Sequence, residues 1–378
     1  MCVVEGGTDY GAHDDGRWPA DALNARSLAL EHVWPAIDDD RSKLRPRIIG
    51  GGSSVNACML ALGPPSDYDW GGGWSYETLA PFAERALDAL GPRRFDESEL
   101  GAWHTRLLTA ARDAGLDASP NLVNMRGATR WNDAFAYLDP ARARPNLEIR
   151  GDTVVERLDP PWVLLAGGER LEAPLIVLAA GAYGTAALLQ TSGLGEDVGE
   201  GLSDHPGVGL GWEPRGADGE TFMSQVTLRA RSSVARDEHW DTFVMTAEDG
   251  PERTGAVFAM TPVSRGSVRP GPAVDHGFLA DEDATRIVEG IELARRLLGP
   301  DVRPGPAADL ERYVRENVRG FFHPVGTCAL GSVTDFEGRL RGVDGVVCCD
   351  ASVIPRIPRV PTHLTVLAVA ERIVHSIE

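Results

Sequence analysis

The stretch that most constrains this chain is the unbroken apolar run at residues 175–182, Leu-Ile-Val-Leu-Ala-Ala-Gly-Ala. A strand with one wet face alternates apolar and polar residues, whereas this run offers apolar side chains on both faces. It predicts a strand buried on both sides, as in a parallel sheet covered by helices. The next residues, Gly-Thr-Ala-Ala-Leu-Leu-Gln (184–190), predict a helix that stops at Gly193 and Gly195. Strand followed by packed helix is the unit of a doubly wound α/β fold.

The first residues, Met1-Cys2-Val3-Val4-Glu5, read as the second half of another buried parallel strand, ending in an acid before Gly6-Gly7. In a dinucleotide-binding βαβ unit, an acid at that place bonds the adenosine ribose, about 20 residues after a glycine fingerprint. A first strand and its glycine loop are therefore expected ahead of Glu5, where the sequence opens at Met1. A misassigned start, a truncated gene and a partner chain that supplies the loop are the three explanations open. A chain opening here is expected to expose a strand edge and to hold a dinucleotide weakly.

Residues 11–45 are polar and broken by Gly11, Gly16 and Pro19, which predicts a surface excursion with one short helix around 20–33. Then Ile48-Ile49 runs into Gly50-Gly51-Gly52-Ser53-Ser54 ahead of a predicted helical segment. Glycines admit close backbone approach to a ligand, and capping serines leave helix N–H groups for an anion. Apolar spacing predicts helices over 75–92, 97–114 and 282–298 and a terminal amphipathic helix over 364–377, with short strands over 146–181 and 345–352. Alternation over 207–280 predicts antiparallel strands, hence a second domain with its own sheet.

With 378 residues, the chain exceeds what one core usually supports. A net charge of −19 excludes nucleic acid and anionic membrane surfaces as partners, since both would be repelled. Five cysteines form no C-x-x-C pair and read as buried thiols of a reducing compartment, with no metal site. No apolar run approaches the roughly 18 to 20 residues of a membrane span, and no leader opens the chain, so a cytoplasmic location is expected.

Four separated segments make the sequence similar to the GMC (glucose–methanol–choline) oxidoreductases. The first is 50–82, with Gly51-Gly52-Ser53-Ser54, Asn56, Asp67-Tyr68-Asp69 and Gly73-Trp74-Ser75-Tyr76. The second is 179–195, with Ala186 where the family usually has Pro or Ser. The third is 198–206, Val-Gly-Glu-Gly-Leu-Ser-Asp-His-Pro. The fourth joins Phe-Phe-His-Pro-Val-Gly-Thr-Cys (321–328) to 345–358 and 360–373. The resemblance implies an FAD domain assembled from 1–75, 146–206 and 320–378, and a substrate domain from 76–145 and 207–319.

It also implies an activity: FAD-dependent oxidation of an alcohol, with His323 and His363 as the catalytic pair. Histidine suits removal of a hydroxyl proton because its pKa lies near neutrality. By resemblance, the cofactor lies against Glu5, Gly51, Gly52, Ser53, Ser54, Asn56, Ala57, Val155, Ala180, Gly181, Asp350, Ala351, Leu364 and Thr365. Val55, where some relatives carry a tethering His, implies non-covalent FAD. The expected partners are a small alcohol and an electron acceptor, whether oxygen, a quinone or a redox protein. A flavin-containing lyase that cleaves cyanohydrins and a remnant that no longer holds FAD are the alternatives. His205 and Cys328 read as structural.

Overall fold

The computed structural model describes residues 1–37, 43–212, 222–249, 252–271 and 273–377, without the side chains of Asp249 and Glu252. Residues 38–42 of the predicted surface excursion lie outside the described residues, as do 213–221, 250–251 and 272 of the antiparallel region. In chain order the elements that position the site begin with β1 (Cys2–Val4), α1 (Tyr76–Leu90), α2 (Ala102–Asp113) and β2 (Asp117–Pro120). Next come β3 (Glu148–Arg150), β4 (Ile176–Leu178), α3 (Gly181–Ser192), β5 (Pro206–Trp212), β6 (Val226–Ala230), β7 (Thr242–Asp249) and β8 (Glu252–Ala259). The chain closes through α4 (Asp281–Leu298), β9 (Arg319–Gly320), β10 (Val346–Cys348) and α5 (His363–Ile377).

The architecture is mixed α/β. β1 pairs in parallel with β3, and β4 in parallel with β10. Helices α1, α3 and α5 pack beside the β4–β10 pair in the first core, where Leu79, Leu189, Val346, Val347, Leu364 and Val369 are all buried. α1 starts where Ser75 and Thr78 exchange backbone and side-chain hydrogen bonds, and stops at Gly91 in the left-handed region (φ 57°). Leu79, Ala83, Ala86 and Leu90 recur on one face and are its buried residues. That face puts α1 against α5 in the first core.

The second core lies on a seven-stranded antiparallel sheet. Its main order runs from Val302–Arg303 through β5, β8, β7 and β6 to β2, and β9 also pairs with β5. α2 and α4 cover it, burying Trp103, Leu107, Ile287 and Ile291 against Val208, Val244 and Val257. α4 carries Asp281, Glu282 and Asp283 in its first turn and Arg295 and Arg296 in its last, which complements the helix dipole. β2 comes from the early part of the chain and completes a sheet otherwise made after residue 205, so two distant segments share one core.

Five local expectations are corrected. β4 is not buried on both faces: Ile176 and Leu178 enter the core, while Val177 is 45% exposed on the opposite face, which the described residues leave open over it. The helix expected around 20–33 covers only Ala20–Leu23; beyond it the N–H of Ala25 turns to the carbonyl of Ala128 and the carbonyl of Ser27 to Arg130 instead of continuing a helical ladder. After the glycine loop the chain makes a single 3-10 turn over Gly51–Ser54 and then a strand at Met59–Leu60, where an α-helix was expected. The region expected to form one antiparallel sheet over 207–280 also supplies Gly266–Arg269, which pairs outside the seven-stranded sheet with Glu200–Leu202 and Ala273–Asp275. Cys2 is exposed, unlike the other four cysteines. No helix among the described residues is long and apolar enough to cross a membrane.

Candidate active site and cofactor cradle

His323 follows β9 in a loop whose backbone is strained. Phe322 has φ 61°, a left-handed conformation unfavourable for a bulky side chain. Asp204 holds it there: its buried carboxylate accepts the backbone N–H groups of His205 (2.7 Å), Phe321 (3.3 Å) and His323 (3.0 Å). Complete burial pushes the Asp204 carboxyl up to about 7, against the pull of those N–H groups. Nδ1 of His323 lies 3.0 Å from Nδ1 of His205, whose Nε2 meets the carbonyl of Pro358 at 3.1 Å. His205 is therefore not merely a filler of the domain junction; it touches the histidine that the sequence singled out.

His363 opens α5, and its Nε2 lies 2.9 and 3.2 Å from the two carboxylate oxygens of Asp133. Burial disfavours charging this imidazole, but the attraction of Asp133 and their hydrogen bond outweigh it and raise its proton affinity. Nδ1 of His363 is buried without a hydrogen-bond partner among the described residues. His323 behaves oppositely: burial, followed by the charge of nearby His363, depresses it to about 3. The two histidines lie within electrostatic reach of each other, with the proton affinity of His323 lowered and that of His363 raised.

The glycine loop is built as a support for its own backbone. Ser53 Oγ donates to the carbonyl of Gly50 and Ser54 Oγ to that of Ile49, so these hydroxyls shape the loop. Ser53 Oγ also accepts the N–H of Asp133, which ties the loop to the partner of His363. Arg130 is fully buried beneath it, donating to the carbonyls of Ala22, Ser27, Ser54 and Asn56. Asn56 Oδ1 accepts from the N–H of Cys58, and Ala57 is half-buried beside it. A Cβ placed on Gly51 or Gly52 would meet no atom within 4 Å, so the backbone faces open space.

The remaining candidates gather in three groups. Glu5 directly follows β1; its Oε1 accepts the N–H of Gly7 and its carbonyl that of Thr153, two residues before half-buried Val155. Burial raises the proton affinity of Glu5 despite the Gly7 bond. Asp350, buried just after β10, accepts from the N–H groups of Gly181 (2.9 Å) and Ser352 (2.8 Å) and from Thr185 Oγ1 (2.5 Å). It joins Ala351 to the start of α3, where Ala180 is exposed and a Cβ on Gly181 would meet nothing within 4 Å. Leu364 and Thr365 are buried in the first turn of α5, and Thr365 Oγ1 lies 3.2 Å from the hydroxyl of Tyr68. Asp67 beside it clamps Arg359 through its N–H and Nε, both at 2.8 Å, which explains the acid of that cluster.

Sequence reasoning missed Asp133 and Asp204, and it gave His205 only a structural role. Asp133 sits in Trp-Asn-Asp-Ala (131–134), which carries no pattern of its own. The Asp204-His205 pair did carry one, since two ionisable residues in an apolar context seldom lie buried without partners.

Two family models described as GMC oxidoreductase match the chain, one over residues 3–207 and the other over 262–370, and the chain belongs to that family. Among its relatives, the 5-(hydroxymethyl)furfural oxidase of Methylovorus sp. (strain MP688) is 28% identical, the match covering 88% of this chain and 82% of the relative. An oxygen-dependent choline dehydrogenase of Brucella anthropi is 24% identical over 84% of this chain and 79% of its own. The solved pyridoxine 4-oxidase from Mesorbium loti shares the fold with a TM-score of 0.85 at 21% identity, covering 99% of this chain and 98% of that one. A fungal aryl-alcohol oxidase shares it at 0.75 and 16%, covering 100% and 99%.

Proposed function

We propose that this protein oxidises an alcohol with non-covalently held FAD, and that His323 and His363 are its catalytic pair. The observation that carries the reading is the asymmetry of that pair: a neutral imidazole beside one whose charge Asp133 favours. Loss of hydride from a carbinol carbon requires the hydroxyl proton to leave as negative charge develops on oxygen. Neutral His323 takes that proton. His363, with Nε2 engaged by Asp133, offers Nδ1–H to the same oxygen and steadies its charge.

FAD, when bound, supplies the hydride acceptor. Glu5 and Val155 would hold its adenosine end, and Gly51, Gly52, Ala180, Gly181, Asp350 and Ala351 its middle, where open space beside three glycines fits an approaching ligand. Ser53, Ser54, Asn56 and Ala57 shape the wall near the flavin. The N–H groups of Leu364 and Thr365 at the positive end of α5 suit a carbonyl that gains negative charge. Val55 leaves no nucleophile for a covalent tether.

For the substrate, the wall beside His323 is aromatic: Phe321 stacks on Phe258 with centroids 3.7 Å apart and lies 4.4 Å from His323. Such a wall suits a primary alcohol on a flat ring, and the furfural and pyridoxine oxidases among its likenesses carry names of that kind. The test is to load the purified protein with FAD and add 5-(hydroxymethyl)furfural or benzyl alcohol without air. Bleaching of the oxidised flavin band is expected, and its return on admitting oxygen, or only on adding a quinone, identifies the electron acceptor. Protein that stays colourless with FAD refutes the cofactor assignment. Cyanohydrin cleavage with flavin still oxidised would make it a lyase.

A further inference from the structure

His205 takes no part in the steps above, yet it is fully buried and both ring nitrogens are engaged. The carbonyl oxygen of Pro358 can only accept, so the Nε2 that meets it carries a proton. A second proton would make a buried cation, and burial, then the charge of neighbouring His323, push that form far below the usual imidazole range, against the smaller opposing pull of the Pro358 and Met260 carbonyls. His205 therefore holds one proton, on Nε2, and its Nδ1 is a bare lone pair. Across the 3.0 Å contact, Nδ1 of His323 must be the donor. His323 is itself neutral at pH 7, so its single proton lies on Nδ1 and its Nε2 is left bare. The hydrogen bonds that His323 makes among the described residues fall on Nδ1 and the backbone N–H, which leaves Nε2 to the substrate.

We infer that His205 is a positioning residue that fixes the tautomer of His323 and so makes Nε2 of His323 the proton acceptor. The inference rests on the reading of His323 as the base. When the alcohol O–H bond breaks, its proton forms a new N–H at Nε2 of His323. Nδ1–H stays in place and is given more strongly to His205, which neither gains nor loses a proton. Asp204 keeps the two rings in register, because one carboxylate oxygen binds the backbone N–H of both residues. The titratable side chains that face His323 are His205 and His363. Behind them stand Asp204, His276 at 3.9 Å from Asp204, and Asp133 against His363.

The direct test is a long-range ¹H–¹⁵N correlation spectrum of the whole protein labelled with ¹⁵N-histidine, with and without FAD, using H323N to identify the His323 signals. His323 is expected as the Nδ1–H tautomer. His205→Gln, whose amide can donate to Pro358 and accept from His323, should keep it. His205→Leu, which has no acceptor, should move His323 toward the Nε2–H form. An Nε2–H signal for His323 in the unaltered protein overturns the inference even if the Leu variant does not fold.

Kinetics with an alcohol that turns over supply the second readout. His205→Leu should lower kcat by about a hundredfold with little change in KM. The acid limb of the kcat profile should move to lower pH, because the imidazolium loses its acceptor. Recovery of most of the rate in His205→Gln is expected, and equal loss in both variants would make His205 a packing residue. If no alcohol turns over while the Nδ1–H signal is present, the tautomer assignment stands and the alcohol reading falls.

Discussion

Asp133 and His363 stand 230 positions apart in the chain, and the carboxylate of the first accepts a hydrogen bond from Nε2 of the second at 2.9 Å. This pair sets the charge of the site. It raises the proton affinity of His363, and the resulting charge helps depress that of His323. Asp133→Asn should therefore let His363 titrate lower and His323 higher. His323 acts only when unprotonated, so the acid limb of kcat/KM should move to higher pH, from about 3 toward the ordinary imidazole range. An unmoved limb in a full pH–rate profile would separate Asp133 from the chemistry.

Replacing the histidines themselves should give unequal losses. His323→Asn removes the group that takes the proton and should lower kcat by at least about a hundredfold. His363→Asn retains an N–H donor for the substrate oxygen and should cost less. Single-turnover bleaching of bound flavin measures both, and equal losses would reverse or merge the assigned roles.

Asp204 predicts an unusual dependence of stability on pH. Its folded pKa of about 7 lies above that of an exposed carboxyl, so the folded chain keeps a proton that the unfolded chain has released. The penalty is absent below about pH 4, grows as pH rises, and is complete above 7, at about 1.4 kcal/mol for each pH unit of displacement. Asp204→Asn, which still offers Oδ1 to the same N–H groups, should flatten the fall in stability between about pH 4 and 7. Urea melts of both proteins across that range provide the comparison.

Arg130 should matter for folding and cofactor alike, because it is buried among backbone carbonyls from two segments, 22–27 and 54–56. Arg130→Met leaves those carbonyls without donors and should destabilise the protein by about 3 kcal/mol or more. A drop in Tm accompanied by a lower flavin-to-protein ratio is expected, since the same guanidinium supports the glycine loop. A drop in Tm alone would confine its role to folding.

Much of the fold could be read locally. Helices α1, α2, α4 and α5 begin and end within a few residues of their predicted limits, because apolar spacing and caps act over one or two turns. Motifs also marked the two histidines and the glycine loop, since a backbone that must approach a ligand needs glycine whatever surrounds it. The failures were also local in kind. Val177 sits in an apolar run yet lies on an open face, because burial of a strand depends on what packs over it and not on its own composition.

The sequence by itself determined the family, the mixed α/β architecture and the residue types available for chemistry, all of which rest on short-range patterns. Only the tertiary structure decided which charges meet. Asp133 reaches His363, Asp204 gathers the strained loop that carries His323, and His205 turns one nitrogen to Pro358 and the other to His323. Such contacts join residues more than a hundred positions apart, apart from the bond of Asp204 to its own neighbour. A proton's place on an imidazole is settled by the atom opposite it, and no spacing along the chain records what that atom is.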